Sequence, residues 1–303
     1  VVIAPYLRRA IPEAVWRAVP CLIVHPGPVG DRGPSALDWA IRNGATRWGV
    51  TVLQANADFD AGDVWSTITF PMRAASKSSL YRTEVTEGAV LAVLESLDRM
   101  ARGEKPTPLT TLAPDGGVFR PLMTDADRVV DWATDGAATV LAKVRASDGQ
   151  PGAPSALFGH VCRLYDAHSE PFAHEGEPGA VIGQRDGALL VKTRDGAVWI
   201  GTVKREAPVG ERAFKMAAAT AFKTDLEGMP VLPAALAWAD GRLGFQEIAY
   251  REVGPVGYLA FDFYNGAMST DDCRRLLAAY REARTRPTKV LVLLGGREFW
   301  SNG

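Results

Sequence analysis

Cysteine is scarce: the 303 residues hold three, Cys21, Cys162 and Cys273. Their odd number and wide spacing exclude a disulfide framework and a CxxC metal site, and suit a reducing cytosol, so the expected location is cytoplasmic. Histidine is nearly as scarce, with four. His160, His168 and His174 lack HxH or HxxxH spacing and read as surface residues, so no metal is expected. Neither sign of charge dominates, since 34 basic and 35 acidic side chains leave a net −1. Nothing therefore marks a nucleic-acid partner or an anionic membrane surface. Apolar runs are short, and none approaches the roughly 20 residues of a spanning helix. Repeats and low-complexity segments are absent.

What is present reads as α/β. The chain opens inside an apolar run, Val1-Val2-Ile3-Ala4, and stops at Ser301-Asn302-Gly303 just after a strand-like run. The expectation is an internal piece of a longer protein. Further buried strands are read at Cys21–Val24, Trp48–Gln54 and Val64–Phe70. Helices are read at Ile11–Val19, Ser35–Asn43 and Ser79–Arg102, the last with an apolar stripe of Leu80, Val90, Leu91, Leu94 and Leu97. Short strands alternating with helices predict an open, mostly parallel sheet with its site at the carboxyl ends of strands.

From Thr124 the pattern changes. Thr124-Asp125-Ala126-Asp127 reads as a capping-box variant opening a helix to Ala146. Strands follow at Val161–Tyr165, Ala180–Ile182, Ala188–Thr193 and Ala197–Val203, with Asp186-Gly187 and Asp195-Gly196 as turns. This predicts a small antiparallel barrel or sheet. A third unit starts near Gln246. It has a hairpin over Gln246–Phe263, a helix capped at Ser269 and running to about Thr285, and a buried strand Lys289–Leu294.

One histidine stands apart. In Cys21-Leu22-Ile23-Val24-His25-Pro26-Gly27 a buried strand ends in an imidazole and runs into a Pro-Gly loop, and Asp58-Phe59-Asp60-Ala61-Gly62-Asp63 fills a later loop between strands. If the strands ending at Val24 and Gln54 are neighbours opening at one edge, His25 and Asp60 converge. That pair suits acyl chemistry, because an imidazolium stabilises negative charge on a carbonyl oxygen and a carboxylate tunes it. A structural histidine and a plain Asp-Gly turn are the competing readings. Asp31-Arg32 reads as a loop closure, a contact to a ligand's charged tail, or a solvated ion pair. Trp39, Trp48 and Trp65 read as core or as faces for a flat cofactor. Lys204-Arg205 and Arg274-Arg275 read as solvated ends or phosphate contacts.

The order of Ile23-Val24-His25-Pro26, Gly33, Trp39-Ala40-Ile41, Gly49-Val50-Thr51-Val52 and Asp60-Ala61-Gly62-Asp63 resembles the 10-formyltetrahydrofolate-dependent formyltransferases. Val130-Asp131-Trp132, Lys143-Val144-Arg145-Ala146 and Gln150-Pro151-Gly152-Ala153 resemble that family's carboxy-terminal, OB-like domain. The resemblance implies His25 and Asp60 as catalytic residues, with Ile23, Pro26, Gly27, Gly33, Asp58 and Gly62 at the folate site. It also shows a departure, since Ile23 stands where the family has an Asn that helps hold the formyl oxygen. Loss of such a donor typically costs about 3–4 kcal/mol of transition-state stabilisation. A thiol acceptor fits that departure, because thiolates are strong nucleophiles.

Gly257–Asp262, Asn265–Ser269, Lys289–Gly296 and Phe299–Gly303 resemble the start of an enoyl-CoA hydratase (crotonase) domain. By that resemblance the Asn302 N–H is an oxyanion donor to a thioester, with the remaining catalytic residues beyond Gly303. The two-part pairing resembles a family of hydrogenase maturation proteins. It implies formyl transfer from 10-formyltetrahydrofolate to coenzyme A, then release of carbon monoxide for a nickel–iron centre, with other maturation proteins as partners. The implied division is 1–121 catalytic, 122–207 OB-like barrel, 208–242 linker and 243–303 truncated crotonase-like. A non-catalytic folate- or CoA-binding module and a CoA-thioester hydratase or isomerase are the alternatives.

Overall fold

The computed structural model describes residues 1–5, 7, 9–206, 210–234, 236, 244–296 and 298–302. It divides into two units, Val1–Arg128 with Arg145–Gly149, and Val129–Val144 with Gln150–Gly303.

Four strands carry the first unit: β1 (Val2–Pro5), β2 (Cys21–His25), β4 (Arg47–Gln54) and β5 (Val64–Pro71), in the order β1-β2-β4-β5. A short pair, β3 (Asp31–Arg32) and β6 (Val118–Phe119), lies apart from that sheet. The expected strands are all present within a residue or so of their predicted ends. The expected parallel sheet is not. Only β1 and β2 are parallel, whereas β2–β4 and β4–β5 are antiparallel. Apolar runs mark strands but carry no direction, and the connection from β2 to β4 does not complete a right-handed parallel crossover.

Helix Ala36–Arg42 begins after Ser35 and stops before Gly44, whose φ of 66° suits the helix end. The helix expected over Ile11–Val19 is one turn, Glu13–Trp16. The long helix is Thr86–Ala101, preceded by a turn at Lys77–Leu80 and a π-turn at Tyr81–Val85.

The predicted stripe of that helix is corrected. Leu80 is buried and Leu97 packs on the core as expected, but Val90, Leu91 and Leu94 are exposed, and the fully buried seam is Gly88, Ala92 and Ser96, at spacing i, i+4, i+8. Small residues let the helix backbone lie close on β4 and β5. The Ser66 hydroxyl donates to the Ala92 carbonyl at 2.6 Å, and the Ser66 and Ser96 hydroxyls lie 2.9 Å apart. The core beneath is Leu37, Ile41, Trp48, Val50, Phe70, Leu80 and Val85, with Leu22, Val52 and Trp65 alongside.

The helix expected to start at Thr124 is two elements: one turn at Asp125–Arg128, still in the first unit, and a separate helix Ala137–Ser147, most of which belongs to the second unit, whose strands follow. Asp127 Oδ2 accepts from both the N–H and the hydroxyl of Thr124 at 2.7 Å, which ends the capping motif on itself. The strands are β7 (Ala153–Leu157), β8 (His160–Ser169), β9 (Val181–Arg185), β10 (Ala188–Lys192), β11 (Ala197–Arg205) and β12 (Met216–Ala217). They form one antiparallel sheet in the order β7-β8-β11-β10-β9, with β12 on β11. Among the described residues no strand pair closes this order into a ring. Asp186 and Gly187, with φ of 48° and 77°, make the predicted two-residue turn between β9 and β10.

A three-stranded sheet follows, β13 (Ile248–Val253), β14 (Val256–Phe261) and β15 (Val290–Leu294), with β14 and β15 parallel. Its helix, Thr270–Ala283, has a full capping box between Ser269 and Asp272. Strand β15 was expected to be buried. It sits at the sheet edge with Val290, Leu293 and Leu294 exposed. Of the predicted linker, residues 208–209, 235 and 237–242 lie outside the described residues. No helix among the described residues is long and apolar enough to cross a membrane.

Candidate active site

Strand β2 alternates, so Leu22 and Val24 face the core while Ile23 and His25 share the other face. His25 closes the strand and is buried, with 4% of its surface exposed. Its partner on β4 is Thr51. The Thr51 hydroxyl donates to the Gly27 carbonyl at 2.9 Å, and the Trp48 indole N–H donates to the Pro26 carbonyl at 2.8 Å. Two side chains of β4 thus pin the Pro-Gly loop over the histidine. Gly27 is buried, and a Cβ on it would fall 2.5 Å from His25 Nε2 and 2.7 Å from an Asp31 carboxylate oxygen.

His25 and Asp60 do converge, with Nδ1 and Oδ1 3.5 Å apart. The expected route is corrected. Because β2 and β4 are antiparallel, Gln54 lies opposite Leu22, at the far end of β2 from His25. The loop after Gln54 therefore has to run back along β2 by three residues, about 10 Å. It is held in that course from its base and its tip. The Gln54 N–H donates to the Asp63 carbonyl at 2.8 Å, and buried Gly62 packs on the Gln54 backbone. At the tip the Gly33 N–H donates to Asp60 Oδ2 at 3.1 Å, and Arg32 Nε donates to the Phe59 carbonyl at 3.4 Å. Gly33 has φ of 109°, and a Cβ there would lie 2.1 Å from the Arg120 carbonyl oxygen, so no other residue fits.

A second carboxylate reaches the same ring. Asp31 Oδ1 lies 3.2 Å from His25 Nε2, and Asp31 is 5% exposed. Its other oxygen accepts from Arg120 Nε. Pairing of β3 with β6 brings these two together, and the Arg120 guanidinium also lies 5.3 Å from the centre of the Trp48 ring. Asp31 is thus neither a solvated ion nor paired with Arg32. Neither Asp31 as a histidine partner nor Arg120 was legible in the sequence. A carboxylate six residues after the histidine is the only local signal, and Arg120 is 89 residues further on.

Burial works against a charged imidazole here. Hydrogen bonds and charge from Asp31 and Asp60 outweigh it and raise the His25 pKa from 6.5 to about 9. Burial would likewise raise Asp60, but the His25 hydrogen bond and charge, the Gly33 N–H and Arg32 hold it below the usual carboxylate range. At neutral pH the site is an imidazolium between two carboxylates, able to stabilise negative charge on an acyl oxygen.

The other predicted site residues fall as follows. Ile23 is half-buried on the His25 face, and Pro26 is half-buried in the loop. Asp58 is exposed, and its N–H donates to Asn56 Oδ1 at 3.0 Å. Asn302 belongs to the second unit, where its N–H donates to the Gly266 carbonyl at 2.7 Å. Trp48 and Trp65 are core residues, and Trp39 donates to the Pro121 carbonyl at 2.8 Å. Among the described residues no His, Cys, Asp and Glu group of three or more is placed to hold a metal ion. His160 is exposed beside Asp225, and His168 and His174 are half-buried beside Asp166 and Glu170. Two of the presumed solvated cations are engaged: Arg205 donates to the Ala221 carbonyl at 2.8 Å, and Arg275 is held by Asp186, Glu247 and Asp272.

The chain is similar to known proteins along its whole length. Residues 122–215 match the formyl transferase C-terminal domain. The hydrogenase maturation factor HoxX of Bradyrhizobium diazoefficiens is 52% identical over 305 residues, covering 100% of this chain and 51% of the relative. The crystal structure of HypX from Aquifex aeolicus in complex with tetrahydrofolic acid matches with a TM-score of 0.91 at 46% identity, over 99% of this chain and 52% of that one. A methionyl-tRNA formyltransferase of Dechloromonas aromatica is 25% identical over 174 residues, or 57% of this chain and 54% of the relative. The chain spans about half the length of these relatives. It is a homologue of the hydrogenase maturation factors HoxX and HypX, with a formyltransferase-like α/β fold and a formyl transferase C-terminal domain.

Proposed function

We propose that this chain transfers a formyl group from 10-formyltetrahydrofolate to coenzyme A, giving formyl-CoA. The observation that carries the reading is the buried His25, charged by Asp31 and Asp60, at the carboxyl end of β2 in a formyltransferase-like chain. Coenzyme A's sulfur forms a bond to the formyl carbon. The bond from that carbon to the folate nitrogen breaks, and the thiol proton ends on the nitrogen. His25 as imidazolium stabilises the oxyanion between these events, and Asp60 fixes the ring and its charge. Ile23 supplies no hydrogen bond where the wider family has an Asn. The site therefore suits an intrinsically reactive acceptor, and a thiol is one. Ile23, Pro26, Gly27, Gly33, Asp58 and Gly62 would line the folate site, and Asn302 would serve a thioester in a crotonase-like part once its N–H is released from the Gly266 carbonyl.

On this reading residues 1–121 form the catalytic part, 122–207 an OB-like domain, 208–242 a linker and 243–303 the start of a crotonase-like part. Formyl-CoA would then be the source of carbon monoxide for a nickel–iron centre, in a cytoplasmic setting alongside other maturation proteins. The test is incubation with 10-formyltetrahydrofolate and coenzyme A, with formyl-CoA read by mass spectrometry. Product that depends on His25 supports transfer. Bound ligands without product support the second reading, a folate- or CoA-binding module, which Ile23 favours. Hydration or isomerisation of an enoyl-CoA without formyl transfer would point to the third, a CoA-thioester hydratase or isomerase.

A further inference from the structure

The resemblance to formyltransferases accounts for one acid beside His25, and the geometry supplies two. Asp31 meets Nε2 from β3, and Asp60 meets Nδ1 from the loop after β4. The other charged groups facing this cluster are Arg120, on the second oxygen of Asp31, and Arg32, beside Asp60. We infer that Asp31, fixed by Arg120, is a positioning residue that holds the Nε2 edge of His25 and keeps the ring doubly protonated for the transfer step. The inference rests on the formyl-transfer reading.

Three observations argue for it. A neutral imidazole has one N–H and one lone pair, so a ring with a carboxylate at each nitrogen turns a lone pair toward an anion unless it carries both protons. Asp31 is almost wholly buried, and a buried carboxylate is tolerated where its oxygens are paired, as both are here. The approach also depends on Gly27, since any side chain there would occupy the space between Nε2 and Asp31. His25 therefore acts as a charge, not as a base: Nε2 is hydrogen-bonded to Asp31 and Nδ1 is ion-paired with Asp60. An acyl oxygen arriving at the Nε2 edge takes over that N–H from Asp31, while Arg120 retains the carboxylate.

Asp31→Asn and Asp31→Glu test this in the whole chain, with two readouts: the His25 titration by NMR, and the pH profile of kcat for formyl transfer to coenzyme A. For Asp31→Asn the His25 midpoint should fall by at least one pH unit, and the alkaline limb of kcat should move down with it. The KM for the folate should change less than threefold. Asp31→Glu should restore most of both shifts. An unchanged midpoint overturns the inference, and so does a fallen kcat with the midpoint in place, because that is a merely structural effect. If Asp31→Asn does not fold, Asp31→Ser takes its place with the same expectations. If the unaltered chain transfers no formyl group, the functional reading fails, and the NMR midpoint still decides what Asp31 does to His25.

Discussion

His25 Nδ1 and Asp60 Oδ1 stand 3.5 Å apart although the loop carrying Asp60 leaves its strand at the opposite end of β2 from the histidine. That contact exists because Gly33 accepts a conformation closed to other residues and offers its N–H to the same carboxylate.

Gly33→Ala therefore removes more than a turn. The new Cβ would strike the Arg120 carbonyl and force a strained φ, at a cost of about 2–3 kcal/mol. Chemical denaturation should show that loss, and the His25 titration should shift down as Asp60 moves away.

His25 gives the fold a signed pH dependence. Its pKa is 6.5 unfolded and about 9 folded, so the folded chain binds the proton more tightly. The stabilisation is complete below about pH 6.5 and is lost as pH rises through about 9. At 1.36 kcal/mol per unit the upper bound is about 3 kcal/mol. Denaturant midpoints measured across this range should fall with pH in the unaltered chain and fall less in His25→Ala. Equal slopes in the two would remove the linkage.

The helix Thr86–Ala101 offers a test of packing. Ala92→Leu places a large side chain in the small-residue seam against Ser66, and should cost about 1–3 kcal/mol. Leu91→Glu, on the exposed side, should stay within about 0.5 kcal/mol. The opposite ranking would mean that the bulky residues are the packed face.

These cases show what the sequence could and could not disclose. Apolar runs and Gly or Pro breaks located β2, β4, β5 and the hairpins, because burial and turn geometry act on neighbouring residues. The direction of β4 was misread, since a strand's pattern is the same in either direction. The apolar face of Thr86–Ala101 was misread at Val90, Leu91 and Leu94, though not at Leu97, because close helix–sheet packing selected Gly, Ala and Ser for the tightest contact. His25 and Asp60 were legible through a family likeness, whereas Asp31 and Arg120 meet only through the β3–β6 pairing of distant segments.

Asp60→Asn separates charge from shape at the site. It keeps an oxygen for the Gly33 N–H and withdraws the negative charge from His25. The His25 midpoint should fall, and formyl transfer should drop by roughly 10²–10³-fold, the range for losing preorganised electrostatic stabilisation. Steady-state rates across pH, with the NMR titration beside them, would check both.

The most direct measurement is formyl-CoA formation by the unaltered chain and by His25→Ala, each incubated with 10-formyltetrahydrofolate and coenzyme A and read by mass spectrometry. The account predicts product from the first and at least a hundredfold less from the second, with folate binding largely retained. Equal product from both, or none from a folded chain that binds both ligands, would contradict it.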